Sequence, residues 1–492
     1  MIIPRTMSTQ HPDNANPAIF AEIDGVLKGD GEIDEAYYAF NSLECNEQMW
    51  DYEGKAADSD VVHKLLNRYP NYFKTTKLGQ QKFLTLRLPN PKAEHGMRKK
   101  VEEALHTIVT SYDIAARFYN ADTPPIFEVI LPFTTSAEEL VAVDSYYRDV
   151  VVGKQEHILP GGLTVKNWLG EYRPSSINVI PLFEDETRIT NVDTIIESYV
   201  HLLDRELPYL RVFLARSDPA LNYGLIGAVI MSKIGLQRLA KVEKKLGIPI
   251  YPILGVGGAP FRGNFRPGRI QKFMTEYPSV QTWTIQSSFK YDNSIQQVKN
   301  SINEINRNRK GTPTVIDEKR ALELLKRTKK RYQEQISKLA DLVNIIAPHM
   351  PVRRDRRLHV GLFGYSRESG EGNKKISLPR AITFAAAMYS LGIPPEILGI
   401  DVLTKEDFKF IKEFAPHLAD DLADACTFAN EENIRRLLGS KTVYNMSFFK
   451  KDLNREHQAL TTFLYDWVKE RFNPTHTREI LEWAAQTRGF LG

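Results

Sequence analysis

Two acidic side chains follow short apolar segments of the chain. Glu184 comes directly after INVIPLF (177–183), and Asp218 follows LRVFLAR (210–216) after one serine. Hard divalent cations such as Mg²⁺ or Mn²⁺ bind one or two protein carboxylates and take their other oxygen ligands from water and substrate. If the two segments are neighbouring parallel strands, their ends lie only about 4.8 Å apart. The two carboxylates are therefore predicted to share one divalent cation.

Basic residues and glycines follow other apolar segments of the same kind. They are Arg87 in KFLTLRL (82–88), Arg367 after HVGLFGY (359–365), and Gly257, Gly258 and Arg262 in the turn GVGGAPFRGN (255–264). A guanidinium group binds phosphate or carboxylate through two parallel hydrogen bonds and stays charged. Glycines let backbone N–H groups approach a phosphate closely. The pattern predicts that an anionic substrate binds beside the cation.

The elements that must position these residues are short apolar segments that alternate with longer amphipathic ones. Eight segments have the composition of strands buried on both faces: 47–53, 82–88, 125–133, 177–183, 210–216, 248–256, 282–288 and 359–365. Such alternation indicates parallel βαβ units. Eight of them favour an α/β fold of the (β/α)8 TIM-type barrel class, whose active site lies at the C-terminal ends of the strands. A doubly wound open sheet is the alternative, because the true strand count could be seven or nine.

The whole chain, 1–492, is expected to form a single enlarged barrel domain, although its length alone would suggest three domains. Barrel strands are expected at about 47–365. Residues from about 370 to 492 show helical patterns and no further strand, so they predict additional helices that form a C-terminal elaboration of the barrel.

Charge and composition argue against several classes of protein. Lysine and arginine total 65 against 61 acids, so the net charge of +4 gives no electrostatic footprint for nucleic acid or a membrane surface. The chain has no run of about 20 apolar residues, and its start is polar. Its two cysteines, Cys45 and Cys426, cannot form a disulfide framework. We therefore expect a cytoplasmic protein with a small-molecule substrate, without nucleic-acid or membrane partners.

Some of these residues also have a purely structural interpretation. An acid after a strand commonly caps the next helix, and Asp218 followed by Pro219 fits that pattern. GVGG could be a turn that avoids side-chain clashes. RRDRR (353–357) precedes the segment 359–365, so it is expected at the opposite end of the barrel as a solvated or intersubunit charge patch.

A polar segment before the first predicted strand, MSTQHPDN (7–14), is not explained by the barrel. Here the sequence resembles the archaeal-type phosphoenolpyruvate carboxylases, and the likeness covers essentially the whole chain. PLFED is similar to the P-L-F-E-T motif of the larger bacterial and plant enzymes, ARSDPA to their G-Y-S-D-S-A-K motif, and GVGGAPFRGN to their G-R-G-G-x-x-G-R-G-G loop. LTLRL loosely resembles L-D-x-R, QSSFKYD resembles Q-G-x…K-Y-G, and GYSRESG and SLPRAI resemble G-S-R-P and L-R-A-I.

The resemblance implies an enzyme that converts phosphoenolpyruvate and bicarbonate to oxaloacetate and phosphate, an anaplerotic carbon-fixing reaction. It implies Mg²⁺ or Mn²⁺ as cofactor and a homotetramer. It assigns His11, Arg262 and Arg380 as catalytic residues, Arg87, Gly257, Gly258 and Arg367 as substrate-binding residues, and Glu184 and Asp218 as metal ligands. His11 would act as the general base, and the loop 255–264 would act as a lid.

Two positions depart from the family pattern. Val256 stands where the first loop arginine would be, and Leu221 stands where a lysine would follow the metal-binding aspartate. Arg216, Lys233 and Arg266 are nearby in sequence and could supply those charges.

Two other functions remain open alternatives. One is another barrel enzyme of phosphoenolpyruvate or pyruvate chemistry, such as a lyase or a phosphotransferase. The other is a non-catalytic barrel that binds a phosphorylated metabolite or a protein partner, because a fold by itself does not fix function.

Overall fold

Eight parallel strands form a closed barrel in chain order. The computed structural model describes residues 2–93, 98–356, 365–368, 375–449, 452–470 and 476–492. The barrel strands are β1 (Thr6–Ser8), β2 (Glu47–Asp51), β3 (Phe83–Arg87), β4 (Glu128–Leu131), β5 (Asn178–Phe183), β6 (Leu210–Ala215), β7 (Ile250–Gly255) and β8 (Thr282–Ile285). Each strand pairs in parallel with the next, and β1 closes the barrel on β8 through Met7 opposite Thr284. The TIM-type barrel is confirmed, and the open-sheet alternative is wrong.

Seven of the eight predicted strands contain an observed strand, and the remaining assignment is wrong. The first strand is β1, which overlaps the start of the polar segment MSTQHPDN (7–14). Residues 359–364 of the predicted last strand lie outside the described residues, and Tyr365 begins β9 (Tyr365–Glu368). This strand pairs antiparallel with β10 (Lys375–Leu378) in a separate two-stranded sheet, so a strand also follows residue 370. Three residues of sequence TMS are too short and too polar to resemble a buried strand, and pairing on both sides is what makes them one.

Helices surround the barrel and form most of the C-terminal region. Through the barrel these are α1 (Asp30–Asn41), α2 (Val61–Arg68), α3 (Pro70–Thr75), α4 (Lys100–Tyr119), α5 (Ala137–Ser145), α6 (Val165–Leu169), α7 (Glu186–Ile189), α8 (Val192–Leu202), α9 (Ser217–Leu246), α10 (Ile270–Glu276), α11 (Ser287–Tyr291), α12 (Ile295–Arg307) and α13 (Glu318–Ile346). After the β9–β10 hairpin come α14 (Ala381–Ser390), α15 (Lys405–Phe414), α16 (Leu418–Cys426), α17 (Glu431–Leu438), α18 (Ser440–Met446), α19 (Arg455–Glu470) and α20 (Thr477–Arg488). The helical C-terminal elaboration is confirmed apart from β10.

Helix α9 is the long apolar helix that carries Asp218 in its first turn. It is broken at Gly224, whose φ of 79° is in the left-handed region, and a Cβ there would lie 3.0 Å from the Tyr332 ring. Gly247, also left-handed, ends the helix as its sequence predicts. Among the described residues, α9 is the one single helix that is long and apolar enough to cross a membrane, and 89% of its most apolar stretch is buried inside the protein.

The barrel interior is layered along its axis. At the N-terminal ends of the strands, Arg211 forms ion pairs of 2.7 Å with both Glu47 and Glu128, and all three are buried. Above them lies an apolar layer formed by Met7, Met49, Ile130, Ile180, Leu182, Phe213, Ala215 and Ile253. These two layers fill the lower part of the barrel, so open space for a ligand lies above them, at the C-terminal ends of the strands.

Candidate active site

A cavity of about 350 Å³ opens at the C-terminal ends of the barrel strands. Its titratable lining residues include His11, Glu53, Arg87, Glu184, Asp218, Arg262, Arg356 and Arg380. The structure thus brings six of the predicted site residues together: His11, Arg87, Glu184, Asp218, Arg262 and Arg380. Gly257 and Gly258 lie in the adjoining turn. Arg367 lies in β9, and its side chain is outside the described part of the chain.

The two predicted metal-binding carboxylates come from neighbouring strands. Glu184 directly follows β5, where its Oε2 accepts a 2.8 Å hydrogen bond from the Phe133 backbone N–H. Asp218 is the second residue of α9, and Arg216 occupies the N-cap position, so the capping interpretation of Asp218 is wrong. Burial raises the pKa of Glu184 well above its usual range, and the Asp218 and Glu53 carboxylates raise it further.

This cluster of acids fits a hard divalent cation. The carboxylates of Glu184 and Asp218 repel one another, and a divalent cation between them would relieve that repulsion. Mg²⁺ and Mn²⁺ need only one or two carboxylates. In the described ranges no cluster of three or more His, Cys, Asp or Glu side chains is arranged to hold a metal ion.

Arg87 is held by acids at the end of the neighbouring strand β2. Its Nε and Nη2 donate to the two Asp51 oxygens at 2.8 and 2.7 Å, and Nη2 lies 2.5 Å from Glu53 Oε2. Although burial opposes it, these two acids raise the pKa of Arg87 above its usual value. Arg87 therefore lines the cavity as a fixed cation, and its Nε and Nη2 groups already donate hydrogen bonds to Asp51.

His11 lies at the cavity in the segment after β1. Its Nδ1 is 2.9 Å from the Thr9 hydroxyl oxygen. Burial lowers the pKa of His11 well below its ordinary value, and the nearby Arg87 and Arg356 cations lower it further. The imidazole is therefore neutral at neutral pH, which is the form that accepts a proton.

Asp13, two residues after His11, was not predicted from the sequence. Its buried carboxylate accepts hydrogen bonds from Ser288 N–H (2.7 Å), Ser288 Oγ (3.0 Å), Arg262 Nη1 (3.0 Å) and Gly258 N–H (3.3 Å). The same side chain therefore connects the His11 segment, the start of α11 and the glycine-rich turn. The polar MSTQHPDN segment was the available signal, but its composition does not say which residue makes these contacts.

The glycine-rich turn 255–264 is buried rather than exposed. Gly257 N–H donates to Arg262 O at 2.9 Å, and Gly258 N–H donates to Asp13. A Cβ on Gly258 would lie 2.1 Å from Ser288 Oγ, and one on Gly257 would lie 2.7 Å from Arg262 Nη1. In this structure both N–H groups donate hydrogen bonds to other groups of the protein, and the absence of a Cβ permits close packing. This agrees with the interpretation of GVGG as a turn that avoids side-chain clashes.

Arg262 is 2% exposed, and four groups hold its side chain. Besides Asp13, it donates to Gln286 Oε1 (2.6 Å), Ser217 Oγ (3.1 Å) and the Gly492 backbone carbonyl (3.0 Å). The Gln286 and Ser217 contacts tie the turn to the ends of β8 and β6. Arg262 thus fixes the rim of the cavity as well as lining it.

The described residues of the segment RRDRR, 353–356, do not form a solvated patch at the opposite end of the barrel, and Arg357 lies outside the described residues. Arg353 and Arg354 are buried, and Arg354 pairs with Glu32 (2.8 Å) and Glu35 (2.7 Å). Arg356 lines the cavity, donates to the Gln10 carbonyl (3.3 Å), and has its pKa lowered to about 10 by burial. The prediction assumed that 359–365 is a barrel strand; because β8 is Thr282–Ile285, the segment crosses the C-terminal rim instead.

The arginines give the cavity a strongly positive lining. Arg356 and Arg87 face His11, and Arg380, at the N-cap of α14, lies 3.9 Å from Glu53. A TIM-type barrel whose cavity gathers cations, carboxylates and an imidazole at the C-terminal ends of its strands has the features of an enzyme active site.

Comparisons with known proteins say which kind of barrel enzyme this is. Residues 3–492 match the family model described as phosphoenolpyruvate carboxylase. The chain is 49% identical to the phosphoenolpyruvate carboxylase of Methanospirillum hungatei, over 88% of both chains. It is 44% identical to that of Methanothermobacter thermautotrophicus over 100% of both chains. It is 42% identical to that of Halobacterium salinarum, over 100% of this chain and 99% of the other. The chain belongs to the phosphoenolpyruvate carboxylase family, which consists of carboxy-lyases.

Proposed function

We propose that the protein catalyses, in this cavity, the carboxylation of phosphoenolpyruvate by bicarbonate. The products are oxaloacetate and phosphate. A bicarbonate oxygen attacks phosphorus, the bond from phosphorus to the enol oxygen breaks, and carboxyphosphate and the enolate of pyruvate form. Carboxyphosphate then loses phosphate to give CO2, which bonds to the enolate carbon. The observation that carries the proposal is the convergence of cations, carboxylates and a neutral histidine on one cavity of about 350 Å³, in a chain of this family.

Glu184 and Asp218 would hold the divalent cation, Mg²⁺ or Mn²⁺. When bound, it supplies Lewis-acid stabilisation of the negative charge that develops on the enol oxygen. The raised pKa of Glu184 supports this assignment, because the carboxylate lacks sufficient compensating charge from the protein alone.

The arginines would neutralise and orient the substrate anions. Arg356 and Arg380 lie farther from acids than Arg87 and Arg262 do, with Asp51 3.9 Å from Arg356 and Glu53 3.9 Å from Arg380. Arg87 and Arg262 are held by the protein and contribute fixed positive charge without reorganisation when the reaction occurs. Arg367 remains a candidate on the basis of its sequence motif alone.

His11 would take the proton from the carboxyl group of carboxyphosphate as that intermediate breaks down. The Thr9 hydroxyl holds Nδ1, which leaves Nε2 as the nitrogen available for the transfer. Burial and the two neighbouring cations keep the ring neutral, and therefore ready to accept a proton, at neutral pH.

The test is an assay of oxaloacetate and phosphate with phosphoenolpyruvate, with and without bicarbonate and Mg²⁺. We expect both products in equal amounts, and neither without bicarbonate. His11→Asn should release phosphate but form little oxaloacetate. Phosphate release that does not need bicarbonate would favour another phosphoenolpyruvate enzyme, and metal-linked binding without turnover would favour the non-catalytic barrel.

A cytoplasmic location and a homotetramer are also part of the proposal. Both follow from the family resemblance and the composition of the chain. Sedimentation of the purified protein tests the second, with a mass of four times 56.2 kDa expected.

A further inference from the structure

Arg216 is a buried arginine whose guanidinium group has no acceptor. Its exposed fraction is 0%, and Nε, Nη1 and Nη2 all lack a hydrogen-bond partner among the described residues. By contrast, the buried Arg211, Arg354 and Arg488 each have only one side-chain nitrogen without a hydrogen-bond partner. Because burying a charge without hydrogen bonds is costly, a group of this kind calls for a function.

The surroundings of Arg216 compensate its charge only in part. The guanidinium lies 5.4 Å from the ring centroid of Phe273 in α10 and 6.0 Å from that of Tyr277, which directly follows α10. Its charge also acts on Asp421 of α16, whose carboxylate accepts a 2.8 Å hydrogen bond from Asn264 instead. No ion pair within 4.0 Å joins Arg216 to a described carboxylate. The aromatic rings attract the cation, but they leave its N–H groups without acceptors.

The position of Arg216 connects it to the cavity. It directly follows β6 and precedes Ser217 and Asp218, and it lines the cavity with them. A Cβ built on Gly263 would lie 2.9 Å from Arg216 Nη1 and 3.0 Å from Val256 Cβ. The unpaired guanidinium therefore lies beside Gly263 of the glycine-rich turn.

We propose that Arg216 is a further substrate-binding residue, whose guanidinium turns from beneath the glycine-rich turn into the cavity and binds an oxygen of the substrate's phosphate group. The missing acceptors are then those of the ligand, and the arginine is kept unpaired in the free protein so that it can pair with the substrate. This inference rests on the proposed function.

The test compares the wild type with Arg216→Met, which keeps an unbranched, flexible side chain and removes the guanidinium charge. The KM for phosphoenolpyruvate and the inhibition constant of inorganic phosphate should both rise at least about tenfold, the change expected for loss of one charge-assisted hydrogen bond. The melting temperature should stay equal or rise, because an unpaired buried charge has been removed. Arg216→Lys keeps the positive charge but lacks the planar guanidinium group. Its KM for phosphoenolpyruvate and its inhibition constant for phosphate should lie between those of the wild type and those of Arg216→Met.

Lys233→Met is the matched control. Lys233 is buried, lies 4.1 Å from the same Tyr277 ring, and does not line the cavity. Its loss should leave both constants within about twofold of the wild type. The proposal is overturned if Arg216→Met leaves both constants unchanged, if Lys233→Met raises them equally, or if neither Arg216→Met nor Arg216→Gln folds.

The two levels of inference fail separately. If the wild type forms no oxaloacetate, the proposed function fails, but inorganic phosphate still tests Arg216 directly. Phosphate should raise the melting temperature of the wild type and not that of Arg216→Met. Equal shifts in both proteins would overturn the assignment of Arg216.

Discussion

Replacing Asp13 by asparagine should release the glycine-rich turn. The Asp13 Oδ2 atom accepts from Arg262 Nη1, Ser288 Oγ and Gly258 N–H, while Oδ1 accepts from Ser288 N–H. Asparagine can keep only one oxygen. If that oxygen still accepts the hydrogen bond from Ser288 N–H, the new NH2 group points at the Arg262 and Gly258 donors. Because an NH2 group cannot accept hydrogen bonds, both of those contacts are lost.

The magnitude follows from the burial of the pair. Asp13 is 0% and Arg262 2% exposed, and removing one partner of a buried ion pair costs about 3–5 kcal/mol. If that cost falls on the turn, its amides should exchange at least about a hundredfold faster, since about 1.4 kcal/mol corresponds to a factor of ten. Hydrogen exchange followed by mass spectrometry of a peptide spanning 255–265 measures this directly.

Asp292→Asn is the matched control. Asp292 also holds the His11 segment, by accepting 2.8 Å hydrogen bonds from the Ala15 and Asn16 N–H groups, but no arginine among the described residues pairs with it. Burial raises the pKa of Asp292 to about 7, so it is partly protonated at neutral pH and asparagine replaces it at smaller cost. Wild-type exchange of 255–265 in Asp13→Asn, or equal acceleration in the control, would refute the reasoning.

Three further predictions concern charges at or near the site. Burial raises the pKa of Glu396 from its ordinary value of 4.5 to about 8. The wild type therefore loses stability as the pH rises from about 4.5 to 8. Glu396→Gln should have the melting temperature of the wild type at pH 5 and a higher one at pH 9. Arg356→Met should raise the pKa of His11 and move the acidic limb of the kcat/KM profile to higher pH; an unmoved limb would contradict this. Glu184→Gln and Asp218→Asn should each weaken Mn²⁺ binding, measured by calorimetry, at least about tenfold; wild-type affinity in both would exclude this ion site.

The sequence was most informative where burial and chemistry coincide. Strands β2 to β8 are apolar because both faces are buried, and Glu184 follows its strand directly, so both could be predicted. β1 could not be predicted, because its three residues are a strand only through their partners β2 and β8. Arg356 was missed for a related reason: without β1, the strand count placed its segment at the wrong end of the barrel.

Side-chain partners were the least predictable part of the site. Arg262 was predicted to contact substrate from its motif, yet its contacts to Asp13, Gln286 and Gly492 join residues up to 249 positions apart in sequence. Such contacts depend on the closed barrel and on the C-terminal residues packing over its rim. No local pattern of residues encodes them, because each depends on the tertiary fold.

The most direct test of the central claim follows oxygen from bicarbonate. If a bicarbonate oxygen attacks phosphorus, that oxygen stays with the phosphate when carboxyphosphate breaks down, and the other two pass through CO2 into oxaloacetate. With ¹⁸O-labelled bicarbonate, mass spectrometry of the released phosphate should show one label per molecule. Unlabelled phosphate, formed by attack of water or by transfer to another acceptor, would contradict the account.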